Sequence, residues 1–223
     1  MENSAIKFSQ RKIKKNYRSI TGHFPSIKNN TSIGFESKLE KAHFLSLEFD
    51  NEVISYQEQP QIEICINGKD KIYSADCYIK RAKTSLKKDS IVEVKYTNEI
   101  EKRKDYFEKK FEAAKTSVNK LNLDFEVYTE KIHSEIYLDN LDFLYRYKLQ
   151  PIENKYEDQI LATIINKNNK ISAFDLANLI SENPIEYGLI SNCIWDLVCK
   201  EKLKTNLELS KITMNSLVEL SYE

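Results

Sequence analysis

Glycine and proline are scarce, four of each in 223 residues. That scarcity argues against long flexible linkers. No run of eighteen or more apolar residues occurs, so no segment has the composition to cross a membrane. The opening residues Met1-Glu2-Asn3-Ser4 lack the apolar stretch of a secretory leader, and a cytoplasmic protein is expected. The four cysteines (Cys65, Cys77, Cys193 and Cys199) show no CxxC spacing. They are expected to be reduced and structural, with no zinc site. His23, His43 and His133 are far apart and belong to no metal motif. No GxxxxGK[ST] loop is present, which argues against ATP hydrolysis by this chain.

What is present is globular: 41% hydrophobic and 30% charged residues, enough apolar material for a core. The length suits one ordinary domain with an appendage, or two small ones. Net charge is zero, but its distribution is uneven. Residues 1–33 hold seven Lys or Arg against one acid, while residues 151–223 hold seven Lys against eleven Asp or Glu. The two ends are expected to meet different partners.

Hydrophobic periodicity divides the chain. After a basic arm over 1–33, a helix is expected over 34–49, with Phe35, Leu39, Ala42, Leu45 and Phe49 on its buried face. Glu36 and Glu40, four apart, share a neighbouring face. The period then changes to two. Strands are expected over 53–59, 62–66, 71–79 and 90–96, with Asn67-Gly68 supplying a hairpin turn. A long amphipathic helix over 100–121 carries the stripe Phe107, Phe111, Ala114, Val118 and Leu121, and a last strand over 125–128 and a helix over 137–147 follow. The order predicts an α+β core, one sheet between helices, over 34–150. Beyond Pro151, three helices (156–166, 172–181 and 186–203), a β-like piece and a terminal helix at 213–220 suggest a small, mainly helical winged-helix-like domain over 151–223.

Chemistry concentrates on the strands. Asp76 stands in the returning strand of the hairpin, and Glu93-Val94-Lys95 follows on the next strand. Residues two apart on a strand face the same way, so Glu93 and Lys95 project together and an adjacent strand can bring Asp76 beside them. Two carboxylates and an ammonium on a surface next to the core call for a compensating ion. A hard divalent cation such as magnesium takes one or two carboxylates and leaves positions for water and phosphate oxygens. Lys95 is the candidate to orient water and meet phosphate charge. Glu40 is a further candidate ligand, direct or through water.

This pattern matches the Asp…Glu-x-Lys core of restriction-enzyme-like nucleases. More narrowly, Phe35-Glu36-Ser37-Lys38-Leu39-Glu40, Leu47-Glu48-Phe49-Asp50, Val53, Tyr56, Gln57-Glu58-Gln59-Pro60 and Tyr73 with Asp76 resemble the N-terminal endonuclease domain of TnsA, the strand-cleaving subunit of heteromeric bacterial transposases. Ala75 stands where that family usually has proline, and Cys77 where it has a bulky apolar residue; neither change removes a ligand. The resemblance implies a restriction-endonuclease-like fold over 34–150. It also implies catalytic roles for Glu40 (with Glu36 the alternative), Asp76, Glu93 and Lys95, with Glu40, Asp76 and Glu93 holding Mg2+ or, in substitution, Mn2+.

The activity so implied is hydrolysis of one strand, on the 5′ side, at transposon ends in double-stranded DNA. The implied partners are a DDE-type transposase subunit, TnsB, and an AAA+ ATPase regulator, TnsC, which meets the C-terminal domain. Phosphate contacts are expected from Arg11, Lys12, Lys14, Lys15 and Arg18 in the arm, and from Lys80, Arg81, Lys83, Lys87 and Lys88, placed on the catalytic rim. The competing expectations are a free-standing restriction or repair nuclease, and a non-catalytic DNA-binding descendant of the fold.

Overall fold

The computed structural model describes residues 6–9, 20–167 and 169–221. The chain divides into two compact units, Met1–His133 and Ser134–Glu223. Arg11, Lys12, Lys14, Lys15 and Arg18 lie outside the described residues.

In the first unit, short strands precede the helix that was expected at 34. Strand β1 (Lys7–Phe8) pairs with Pro60-Gln61 further along the chain, and β2 (Gly22–Ser26) forms a hairpin with β3 (Thr31–Phe35). The segment 1–33 is therefore not simply a basic arm, because its described part contributes strands to the unit. Helix α1 (Lys38–Phe49) starts where Ser37 caps it, the side-chain oxygen accepting from the Glu40 N–H at 3.0 Å. Gly34 and Phe35 are claimed by β3 instead, in pairing with Gly22 and His23.

The remaining elements of the unit are β4 (Val53–Glu58), β5 (Pro60–Ile66), β6 (Lys69–Ser74), β7 (Cys77–Arg81), β8 (Ser90–Val94), α2 (Thr97–Lys102), α3 (Lys104–Lys120) and β9 (Asp124–Tyr128). Asn67 and Gly68, both at positive φ (52° and 72°), turn β5 into β6 as an Asn-Gly hairpin requires. The strand expected over 71–79 is interrupted at Ala75-Asp76. Before the break, β6 pairs with β5 in a sheet ordered β1-β5-β6; after it, β7 joins a second sheet ordered β4-β7-β8-β9. There β8 is antiparallel to β7 and parallel to β9, with α2 and α3 making the crossover. Helix α3 buries Ala114 and Val118 against Ile62 and Ile64 of β5, Tyr73 of β6 and Ile91 of β8. Mixed sheets with packed helices make this an α+β fold.

One buried acid ties the N-terminal hairpin to α1 and β4. Glu48, 1% exposed, accepts from Ser26 Oγ at 2.6 Å, from Tyr56 Oη at 2.7 Å and from the Lys28 N–H at 3.3 Å. Phe44, one turn earlier on α1, stacks on the Tyr56 ring at 5.5 Å.

The second unit begins earlier than Pro151. Helix α4 (Glu135–Leu149) belongs to it. Asn140 of α4 donates to the carbonyls of Leu207 and Ser210, both at 2.9 Å, and accepts from the Ile212 N–H. Then come α5 (Glu157–Asn166), β10 (Lys170–Ser172), α6 (Ala173–Ile180), α7 (Pro184–Cys199), β11 (Leu203–Lys204) and β12 (Leu217–Leu220). The three strands form an antiparallel sheet ordered β10-β12-β11. Where a terminal helix is expected at 213–220, the chain turns at Met214-Asn215 and runs on as strand β12, with Val218 fully buried. Ile160, Ile164, Leu176, Ile190, Ile194 and Leu197 are also fully buried.

The Glu48 cluster gives a stability test. Glu48→Ala leaves the buried hydroxyls of Ser26 and Tyr56 without this acceptor and should cost about 3 kcal/mol, whereas Tyr56→Phe should cost only about 1 kcal/mol. Urea unfolding of both variants, read as a midpoint shift at constant slope, measures the difference.

Candidate active site

The break between β6 and β7 positions Asp76. Its N–H donates to Val92 O at 3.1 Å and its carbonyl accepts from the Gln59 N–H at 3.2 Å, so the backbone is gripped by neighbours on both sides. The side chain is thereby brought to the C-terminal end of β8, where the Val94 N–H donates to Oδ2 at 2.7 Å. Lys95 follows directly, its N–H bonded to Tyr128 O at 3.0 Å. Its Nζ lies 3.3 Å from Asp76 Oδ2 and 3.4 Å from Glu93 Oε1, and it donates to Val94 O at 3.0 Å. The three strand residues expected to share a site do converge.

Glu93 sits in the middle of this arrangement, 2% exposed on a strand with every residue buried. Burial of a carboxylate demands donors, and here they come from other elements. The Tyr73 hydroxyl of β6 donates to Oε2. Lys110 of α3 donates to Oε1 at 3.0 Å while its ammonium lies 4.4 Å above the centre of the Tyr73 ring. Tyr73 figured in the sequence only as part of the family pattern, and Lys110 not at all. The signal for Lys110 was its place three residues after Phe107 on the buried stripe of α3, where a lysine is out of keeping with its neighbours.

Glu40 stands at the N-terminus of α1, nearly buried. Its Oε2 accepts from the Glu36 N–H at 3.1 Å, and its Oε1 is bonded to Ser37 Oγ at 3.3 Å. With Ser37 as the cap it makes a variant of the capping box, reaching back to the residue before the cap, and its charge is felt at Asp76. Glu36 precedes the helix.

The electrostatics follow from this crowding. Burial first, then the negative charge of Glu93, raises the Asp76 carboxyl from its ordinary 3.8 to about 6, against the opposing pull of Lys95 and the Val94 N–H. Burial by itself would lower the Lys95 ammonium, but Asp76 and Glu93 outweigh it and hold the group above its ordinary value. Burial, reinforced by Glu93, pushes the Tyr73 hydroxyl far above the usual tyrosine range, so it remains a donor.

This donor set suits a divalent cation in one respect and falls short in another. Two carboxylates meet at a single point now occupied by an ammonium, and magnesium commonly uses one or two protein carboxylates. Among the described residues, however, no three of His, Cys, Asp and Glu gather as a ready ligand cluster. Asp76 and Glu93 are the residues that could hold such an ion directly, and Glu40 is the further acid whose charge reaches Asp76.

The basic residues expected on the catalytic rim are elsewhere. Strand β7 runs away from Asp76 and β8 returns toward Glu93, so the loop joining them lies at the opposite end of the strand pair, roughly 17 Å away at the usual rise per residue. Lys80, Lys83, Lys87 and Lys88 are exposed at that far end. Arg81 is not available for phosphate. It is 6% exposed and ion-paired to Asp50 at 3.3 Å and Glu126 at 3.2 Å, with a further bond to Lys88 O. His43 is buried with neither ring nitrogen hydrogen-bonded, and burial lowers its pKa to about 3, so it stays neutral.

Asp76 yields a pH-dependent prediction. Its folded pKa of about 6 lies above the unfolded value, so at pH above 6 the ionised group costs the fold about 3 kcal/mol, and this cost fades as pH falls toward 4. Asp76→Asn should therefore raise the melting temperature of the metal-free chain at pH 7.5, with a gain that shrinks steadily between pH 6 and pH 4. Thermal unfolding of both proteins across that range checks the sign.

Residues 50–130 match the family described as the TnsA-like endonuclease N-terminal domain. No curated protein matches the chain. The matched stretch begins after α1 and runs from β4 to just past β9, so it contains Asp76, Glu93, Lys95 and Lys110 but not Glu40. The segment that builds the site is thus the segment similar to the N-terminal domain of TnsA-like endonucleases.

Proposed function

We propose that the chain is the Mg2+-dependent endonuclease subunit of a heteromeric transposase, hydrolysing one strand on the 5′ side at transposon ends. The observation that carries this is the convergence of Asp76 and Glu93 on the Lys95 ammonium inside the family-matched segment. Asp76 and Glu93 would hold the ion, with Glu40 behind them. A bound magnesium ion would polarise the scissile phosphoryl group and lower the pKa of the attacking water. The chain's own residues do the rest. The Val94 N–H fixes the Asp76 carboxylate, and Tyr73 and Lys110 fix that of Glu93. Lys95, with 26% of its side chain exposed, is the cation able to turn toward water or phosphate.

Cleavage tests the assignment. With the full transposase set and magnesium, Asp76→Ala and Lys95→Ala should each lose activity on the order of 10²-fold or more, with partner binding intact. EDTA should stop the wild type, and Mn2+ should substitute for Mg2+. Undiminished nicking by either variant would remove the site. The isolated chain should cut linear DNA poorly until the DDE-type subunit, the role TnsB plays in the family, is added.

The second unit supports a protein-binding role. Its order of helix, strand, two helices and two strands over α5 to β12 suits a winged-helix-like module. Yet α7, sixteen residues long, contains no Lys or Arg, and it exposes Ile185 and Leu189. Residues 134–223 hold nine Lys or Arg against fourteen Asp or Glu. A phosphate-reading surface needs the opposite balance. Separated at Ser134, the second unit should bind duplex DNA weakly at any salt concentration but retain association with the AAA+ regulator that TnsC represents. Titrations of the fragment against labelled duplex and against the ATPase check this, and tight salt-sensitive DNA binding without ATPase association would reverse the assignment.

A further inference from the structure

We infer that Lys110 is a positioning residue of this site: acting through Glu93, it keeps that carboxylate compensated and oriented, so that Lys95 is released for the phosphate. The inference rests on the endonuclease reading above. Lys110 projects from the middle of α3, 17% exposed, and its ammonium meets Glu93 Oε1 at 3.0 Å. Lys95 meets the same oxygen at 3.4 Å and is the more exposed of the two. One buried carboxylate is neutralised by one cation, and the nearer, more deeply held cation is Lys110. Tyr73 completes the clamp, donating to Oε2 while its ring underlies the Lys110 ammonium. With Oε1 and Oε2 held from α3 and β6, Glu93 does not depend on Lys95 to stay in place. Ordering a lysine in this setting costs side-chain entropy and desolvation, which the Glu93 pairing offsets and which a leucine at the same helical position would avoid.

Without Lys110, Lys95 becomes the sole ammonium for both Asp76 and Glu93 and is held there. The same change removes a positive charge competing with any divalent ion for Glu93. A full charge at contact distance outweighs the loss of order in one carboxylate rotamer. Removal of the charge should therefore move metal affinity and cleavage in opposite directions, a pattern that simple loss of structure would not produce.

The experiment titrates Mn2+ alone into the full chain, followed by electron paramagnetic resonance of the unbound ion, alongside nicking assays with the transposase partner. Lys110→Met should bind Mn2+ on the order of tenfold more tightly yet nick on the order of tenfold more slowly. Lys110→Arg should return both quantities toward wild type. Lys110→Gln, which keeps a donor and loses the charge, gives the same two readings should the methionine variant not fold. Values within twofold of wild type for both quantities, or Mn2+ affinity that falls in step with nicking, would overturn the role of Lys110. Asp76→Ala separates this from the broader reading. If that variant binds Mn2+ as wild type does, the metal site itself is misassigned. If it loses binding while Lys110→Met changes nothing, only the inference about Lys110 fails.

Discussion

A carboxylate on a central, fully buried strand has to be neutralised by neighbours, and around Glu93 that requirement organises the first unit. The donors come from three places in the chain: Tyr73 on β6, Lys95 at the end of β8 and Lys110 on α3. None is enough by itself to offset the desolvation of an ionised group at 2% exposure. Because β6 must deliver Tyr73 while β7 must pair with β8, the chain cannot continue as one strand from 69 to 81. The break falls at Ala75-Asp76, and it presents the second carboxylate beside the first. The change of sheet and the acid pair are two results of the same placement.

Much of this was legible in the residues, and the parts that were not share a cause. Glu93 and Lys95 projecting together follows from the two-residue repeat of a strand, and their approach to Asp76 follows from hairpin adjacency. The stripe of α3 and the Asn-Gly turn were equally plain. The break at residue 75 was not, because the residues on either side remain strand-like and only the choice of pairing partner changes. Lys110 was hidden because a lysine between apolar positions is usually assigned to solvent; its partner lies seventeen residues earlier on another element. The strand at Leu217–Leu220 is not distinguishable from a helix in the residues, because the eight of 213–220 are too few to tell a period of two from one of 3.6. Its identity comes from pairing with β10 and β11.

Charge runs proved the least transferable signal. Lys80, Arg81, Lys83, Lys87 and Lys88 form a cluster in sequence, but the cluster does not survive folding as one surface. Arg81 turns inward to Asp50 and Glu126, residues 31 and 45 positions away, while the lysines remain at the solvent face. Asp89 adds a further restraint at that end by accepting from the Arg81 N–H at 2.8 Å and the Tyr78 hydroxyl at 2.9 Å. The far end of the β7–β8 pair is thus a structural clasp, and the candidate site lies at the other end.

That contrast bears on how such a site could meet DNA. Counting Glu40, Asp76 and Glu93 against Lys95 and Lys110, the acids at or near the site outnumber the ammonium groups. An excess of negative charge at a largely buried site repels a phosphodiester; the Asp76 carboxyl is raised by burial first and then by the charge of Glu93. On the proposed function, a cation of higher charge held by Asp76 and Glu93 would reverse the balance and admit phosphate. The arrangement would then favour binding of the metal-loaded form over the empty one, making the order of assembly a consequence of charge. It also explains why stability is spent here. Asp76 and Glu93 repel each other and are held close by backbone grips, a tyrosine and two lysines; on the proposed function that closeness would let them hold one ion.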